Sequence, residues 1–255
     1  MRILVTNDDG IHSPGLELLE TIARELSDDV WTVAPEFDQS GVSHSLSLSD
    51  PLRLRQVADQ RFAVKGTPTD CVIMGTRNVM QGKRPDLVLS GINRGQNVAE
   101  DVTYSGTIAG AMEGTILGIP SIALSQAYGK SGRAAIKWHC AEHHGAATVR
   151  RIVDNGIPDG IVVNVNFPDC EPGDVAGIAV TAQGKRDSEL LAIDERTDGR
   201  GNPYFWIGFA RKKYEPGNGT DLKALSENRI SITPLRLDLT DEPTMTLMAK
   251  AFSEG

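Results

Sequence analysis

Cysteine is scarce in this chain. Cys71, Cys140 and Cys170 are odd in number, scattered, and without CxxC spacing, so a reduced interior is the expected setting. Long hydrophobic runs are missing as well. Residues 1–20 lack the apolar stretch of a signal peptide, and no segment approaches membrane-spanning length. A cytoplasmic protein without a membrane partner is expected. Positive charge is in deficit: 26 Lys plus Arg stand against 34 Asp plus Glu, a net charge of −8. That balance argues against a nucleic-acid polymer or an anionic membrane surface, though not against a small phosphate bound locally. There are no internal repeats and no low-complexity tracts.

What is present is an ordinary globular composition, 40% apolar and 24% charged, over 255 residues. That length can bury a substantial core. Short, near-continuous aliphatic runs recur: "RILVT", "VWTVAP", "DLVLSG", "SIALS" and "IVVNVNF". Such runs fit parallel strands covered on both faces. Helix signals lie between them. Ser13-Pro14 reads as an N-cap with Pro at the first helical position, followed by Leu18, Leu19, Ile22, Ala23 and Leu26 on one face. Thr67-Pro68-Thr69-Asp70 reads as a capping box. Ser105-Gly106-Thr107 opens a third helix, with Ile108, Met112 and Ile116 at four-residue steps, and residues 133–153 read as a fourth. The alternation predicts an α/β, Rossmann-like, doubly wound and mostly parallel sheet. Ligands of such a sheet gather beyond the carboxyl ends of its strands.

The texture changes after residue 182. Alternation around "DGRGNP", with an aromatic-rich run from Tyr204 to Phe209, predicts a protruding β-hairpin that serves as an oligomerisation arm. The expected division is a catalytic core over 1–182 and a hairpin segment over 183–226. Residues 227–255 would be a returning strand and a final helix that packs on the core or on a partner subunit.

The first strand runs straight into Asn7-Asp8-Asp9-Gly10. Adjacent carboxylates repel, so open water, a bound cation or a shared proton must compensate. The other strand ends offer Ser40 and Gly41 from "VAPEFDQSG", and Ser90, Asn93 and Asn97 from "LVLSGINRGQN". Carboxylate, hydroxyl and amide oxygens are hard donors that suit Mg²⁺, Mn²⁺ or Ca²⁺ better than zinc. The same turn could also be plain loop chemistry with solvated aspartates. Ser105-Gly106-Thr107 at a helix start presents backbone N–H groups and hydroxyls that can hold a phosphate, or it is simply a cap. His12 and His44 read as loop hydrogen-bonders. His139 and His143 share a helix face, but no HExxH accompanies them. Cys71 reads as a core residue.

At these residues the sequence resembles the survival protein SurE family of 5′/3′-nucleotidases. The resemblance rests on "ILVTNDDGIHSPG", "VAPEFDQSG", "KGTPTDCV", "SGINRGQN" and "YSGTIAGAMEG", and extends to "VVNVNFP" and "GTDLKALSENRISITPL". It implies one divalent ion, Mg²⁺ or Mn²⁺, per subunit, held by Asp8, Asp9, Ser40 and Asn93. The reaction implied is hydrolysis of nucleoside monophosphates to nucleoside and phosphate, with 3′-monophosphates and short polyphosphate as further substrates in some members. It also implies a homodimer or homotetramer built by exchange of C-terminal hairpins. Residues 183–218 depart most from the family pattern.

The expected site therefore has Asp8 and Asp9 as catalytic residues and metal ligands, with Ser40 and Asn93 completing the metal set. Asn97, Ser105, Gly106 and Thr107 are the expected phosphate contacts. Two rivals stand beside this reading. A receiver-like signalling module would need a phospho-accepting Asp at the end of the third parallel strand, where "LVLSGIN" offers Ser90 and Asn93 instead. A phosphatase using a covalent aspartyl-phosphate usually spaces its acids as DxD.

Overall fold

The computed structural model describes residues 1–129, 132–186, 191–209 and 215–253. The first strand, β1 (Arg2–Thr6), leads to helix α1 (Pro14–Arg24), β2 (Asp29–Pro35), β3 (Arg53–Ala58), β4 (Arg61–Lys65) and α2 (Pro68–Met74). Next come β5 (Leu87–Arg94), α3 (Gly106–Ile116), β6 (Ser121–Gln126), α4 (His139–Asn155) and β7 (Ile161–Phe167). The chain ends with β8 (Ile178–Val180), β9 (Leu191–Thr197), β10 (Pro203–Phe209), α5 (Asp221–Ser226), β11 (Ile230–Arg236) and α6 (Glu242–Ser253).

Nine strands form one sheet in the order β3-β4-β2-β1-β5-β6-β7-β11-β8. From β4 to β7 every pairing is parallel, while β3 and β11 run antiparallel to their neighbours β4 and β7. Alternate residues of β1 explain the two covered faces. Ile3 and Val5 pack with Leu16, Leu19 and Ile22 of α1 and Val149 of α4. Leu4 points the other way, into Cys71 and Val72 of α2. On that second face Ile108 and Ala111 of α3 meet Ala123 and Val162. The doubly wound expectation therefore holds. Each fully buried Leu or Ile in these layers contributes roughly 1.5–3 kcal/mol. Among the described residues no helix is long and apolar enough to cross a membrane.

The helix starts have the expected causes. Ser13 accepts from Leu16 N with Pro14 next in line, and Thr67 and Asp70 cap each other reciprocally. The fourth helix differs: α4 begins at His139, not residue 133. Gly132 has φ of +79° and Arg133–Ala135 make a single 3₁₀ turn, while Trp138 packs on the core. Ile116 also turns outward and is exposed, although Ile108 above it is buried. Strands β3 and β4 carry no aliphatic run to announce them. β3 is an exposed edge with arginines along it, the polar composition that keeps edges from pairing with other chains.

β9 and β10 pair in a separate two-stranded antiparallel sheet. The excursion begins and ends at one place, because Ala182 and Thr220 form a β-bridge. Within residues 183–226 not everything protrudes: Asp221 of α5 is fully buried and accepts from the N–H groups of Ala99 and Gly184. α6, by contrast, buries no residue against the described chain.

Candidate metal and phosphate centre

The topological switch point lies between β2 and β5, on either side of β1, since the chain moves first to one side of β1 and then to the other. A crevice beyond the carboxyl ends of β1 and β5 is where a ligand of such a sheet sits. Asp8 and Asp9 occupy that place. Asn7 before them is buried and donates through Nδ2 to Gly10 O (3.0 Å) and Ser13 Oγ (2.7 Å), which ties the turn to the cap of α1.

Three further segments close on the pair. Gln39 N donates to the Asp8 carbonyl at 2.7 Å, and Ser40 N donates to Asp38 Oδ1 at 2.8 Å, so the loop after β2 is held beside the acids. From β5, Arg94 N donates to Asp9 Oδ2 at 3.0 Å. A register shift between Ser90 and Asn93 marks a bulge there, a device that re-aims side chains at strand ends. Gly91 sits in that bulge with φ of +139°, and a Cβ would lie 2.2 Å from Leu124 O. Asn93 Nδ2 donates to Gly95 O at 2.8 Å, which leaves its Oδ1 as the ligand-capable atom. Finally α3 points its N-terminus at Asp8. Thr107 Oγ1 donates to Asp8 Oδ1 at 2.5 Å, and a Cβ on Gly106 would lie 2.8 Å from Asp8 Cβ. Only glycine permits that approach.

Asp8 is 4% exposed. Burial, followed by the neighbouring Asp9 charge, pushes its carboxyl up to about 7, against the opposing hydrogen bond from Thr107. A lone anion is disfavoured at this position, and a cation would reverse that. Among the described residues no three His, Cys, Asp or Glu side chains are grouped to hold a metal. The candidate set is instead two carboxylates, a hydroxyl and an amide oxygen, a chemistry that fits a hard divalent ion.

The other expected contacts divide. Gly106 and Thr107 reach the acids. Ser105 Oγ accepts from Ile108 N at 3.1 Å and so acts as the cap of α3. Asn97 is buried in an amide network: its Nδ2 donates to Ser125 Oγ (2.9 Å), and its carbonyl accepts from Asn164 and Asn166. His12 is exposed, while His44 Nε2 lies 3.0 Å from Glu113 Oε2 on α3. His139 is exposed.

Comparison with known proteins covers nearly the whole length of the chain. Residues 3–190 match the family described as survival protein SurE. The chain belongs to that family. It is 75% identical over 252 residues to the 5'-nucleotidase SurE of Methylobacterium nodulans, covering 99% of this chain and 100% of the relative. A relative of the same name from Beijerinckia indica is 64% identical over 253 residues, 98% of this chain and 96% of the relative. Among solved structures, the SurE protein from Aquifex aeolicus superposes with a TM-score of 0.85 at 40% identity, covering 98% of this chain and 99% of the other.

Two features of this SurE chain escape a reading of its sequence. Thr107 donates to Asp8 itself, where the sequence had offered it only as an expected phosphate contact. Arg133, 124 residues away, places Nη2 2.8 Å from Asp9 Oδ1 and 3.4 Å from Ser40 Oγ. Nothing in "KSGRAAIKW" signals such a role, since its only cue is a Gly before a lone Arg.

Proposed function

We propose that this SurE protein is a divalent-metal-dependent phosphomonoesterase that hydrolyses nucleoside 5′-monophosphates to nucleoside and phosphate. The observation that carries the reading is the N-terminus of α3 pressed onto the buried Asp8 at the switch point. A phosphate seated there meets the positive end of the helix and the acid pair together. Asp8, Asp9, Ser40 and Asn93 would hold one Mg²⁺ or Mn²⁺. When bound, that ion supplies charge stabilisation for an in-line displacement and acidifies a water.

The chain's own residues do the rest. The N–H groups at the start of α3, with Gly106 and Thr107, orient the phosphate, while Asn97 ties the segment after β5 to β6 and β7 through its amide network. Thr107 fixes the rotamer of Asp8, and Arg94 N fixes that of Asp9. A helix N-terminus contributes ~0.3–1 kcal/mol, up to ~2 when partly buried, so it positions the ester and cannot alone account for phosphoester cleavage. The rival readings lack support, since the fully buried Ser90 and Asn93 stand where a receiver module needs its Asp. Asp8 and Asp9 are adjacent, not spaced as DxD.

The exposed apolar residues Phe205, Trp206 and Ile207 of β10, with Met245, Leu247 and Phe252 of α6, support a homodimer or homotetramer. The three free, buried cysteines support a cytoplasmic setting. The deciding experiment is a phosphate-release screen over nucleoside 5′- and 3′-monophosphates and short polyphosphate. It is run after chelation and again with Mg²⁺ or Mn²⁺ added. Release that survives excess chelator, or that the ions fail to restore, contradicts the metal; absence of release from any 5′-monophosphate contradicts the activity.

A further inference from the structure

We infer that Arg133 is a substrate-positioning residue that exchanges the acid pair for the substrate phosphate. The inference rests on the function proposed above and extends it to a residue outside the expected site. The guanidinium bridges two of the candidate ligands, Asp9 and Ser40, which come from different strand ends. Asp38 Oδ2 lies 3.9 Å from the same Nη2. Among the described residues this is the cation that forms an ion pair with the acid pair. Nε and Nη1 have no hydrogen-bond partner among those residues, and the side chain is 45% exposed.

Charge decides what it does next. Two carboxylates cancel the formal charge of a divalent ion, so the net charge of the ester is left for other groups to balance. A phosphate monoester carries about −1.5 to −2 charges at pH 7. The end of α3 offers it only about half a positive charge. A divalent ion held by this residue set would compete with the guanidinium for Asp9 and Ser40, so the two would exclude one another there. Arg133 then faces the nearest uncompensated anion, the phosphate, with a planar fork suited to two of its oxygens. The 3₁₀ turn that carries Arg133, in place of the first turn of α4, is what sets it over the crevice.

The test uses full-length wild type, R133A and R133K, with three readouts: Mn²⁺ affinity without substrate, inhibition by inorganic phosphate, and kcat and KM for a nucleoside 5′-monophosphate. R133A should bind Mn²⁺ about 3- to 10-fold more tightly, a modest effect because the ion pair is half exposed. Its phosphate inhibition constant and KM should rise about 10- to 100-fold, the range for a lost charge-assisted hydrogen bond, with kcat falling less. R133K, which keeps the charge without the fork, should lie between. Opposite movement of metal affinity and phosphate affinity is what a mere structural prop would not produce. Phosphate inhibition and KM within twofold of wild type overturn the inference, as does weaker Mn²⁺ binding by R133A. A wild type that binds Mn²⁺ but releases no phosphate overturns the function itself and the inference with it. If R133A does not fold, R133K alone decides by the same criteria.

Discussion

Replacing Asp8 by Asn changes one buried charge and almost no volume, so the effect on folding can be worked out from the site. The ordinary carboxyl value is 3.8, and burial beside Asp9 raises it to about 7 in the metal-free protein. Between about pH 4 and pH 7 the folded state therefore holds a proton that the unfolded chain has already released. Stability from this group is full below about pH 4, declines as pH rises towards 7, and stays low above it. A rise from 3.8 to about 7 amounts to about 4 kcal/mol of destabilisation at alkaline pH. Asn carries no such cost, and Thr107 Oγ1 can still donate to its oxygen. With chelator present at about pH 8, D8N should melt higher than wild type. At about 2–4 °C per kcal/mol for a chain of this size, the rise is on the order of 10 °C. At about pH 4.5 most of the gap should close. Thermal unfolding followed by circular dichroism, with chelator and then with Mn²⁺, reads both effects. Mn²⁺ should raise the melting temperature of wild type but not of D8N, and D8N should lose phosphatase activity by more than about 100-fold. A D8N protein that melts lower than wild type at alkaline pH without metal would refute the argument. So would a pH-independent gap between the two.

The other predictions concern the walls of the site and the arm. G106A places a methyl carbon 2.8 Å from Asp8 Cβ; it should cost about 1–3 kcal/mol in stability and most of the activity, read by urea unfolding and phosphate release. T107V removes the hydroxyl that fixes Asp8 and should lower kcat about 10-fold or more with the fold retained, so wild-type kcat would contradict the geometry. Residues 187–214 replaced by a short Gly-Ser linker should elute later than wild type on size exclusion. The cut lies beyond Arg186, whose guanidinium is bound to Asp101, and an unchanged elution volume would show that the hairpin is no oligomer contact.

Much of the frame was readable before any coordinates, for a physical reason. Parallel strands buried on both faces must be continuously aliphatic, so β1, β2, β5, β6 and β7 declare themselves in the chain. Caps at Ser13, Thr67 and Ser105 are local chemistry, settled within four residues. β3 stayed hidden because an exposed, charged edge strand has no aliphatic run, and β4, one place in from that edge, buries only Ala63 and Val64 of its five residues. The start of α4 falls later than expected because "RAAIKW" has helical composition, while Gly132 at φ +79°, the 3₁₀ turn over Arg133–Ala135 and the packing of Trp138 on the core delay the helix to His139. Tertiary placement also separated the expected phosphate contacts, leaving Gly106 and Thr107 against the acids and putting Asn97 into a buried amide network.

The amino-acid sequence by itself determined the alternation of strand and helix, the acid pair at the end of the first strand, and membership of a family. Those depend on hydrophobic period, capping and residue identity, which act over short distances along the chain. Only the tertiary structure decided that Asp8 is buried, that α3 touches it through a glycine, and that an arginine 124 residues from Asp9 lies upon it. Burial and charge proximity are properties of neighbours in space, and the order of residues along a chain does not contain them until the sheet has closed.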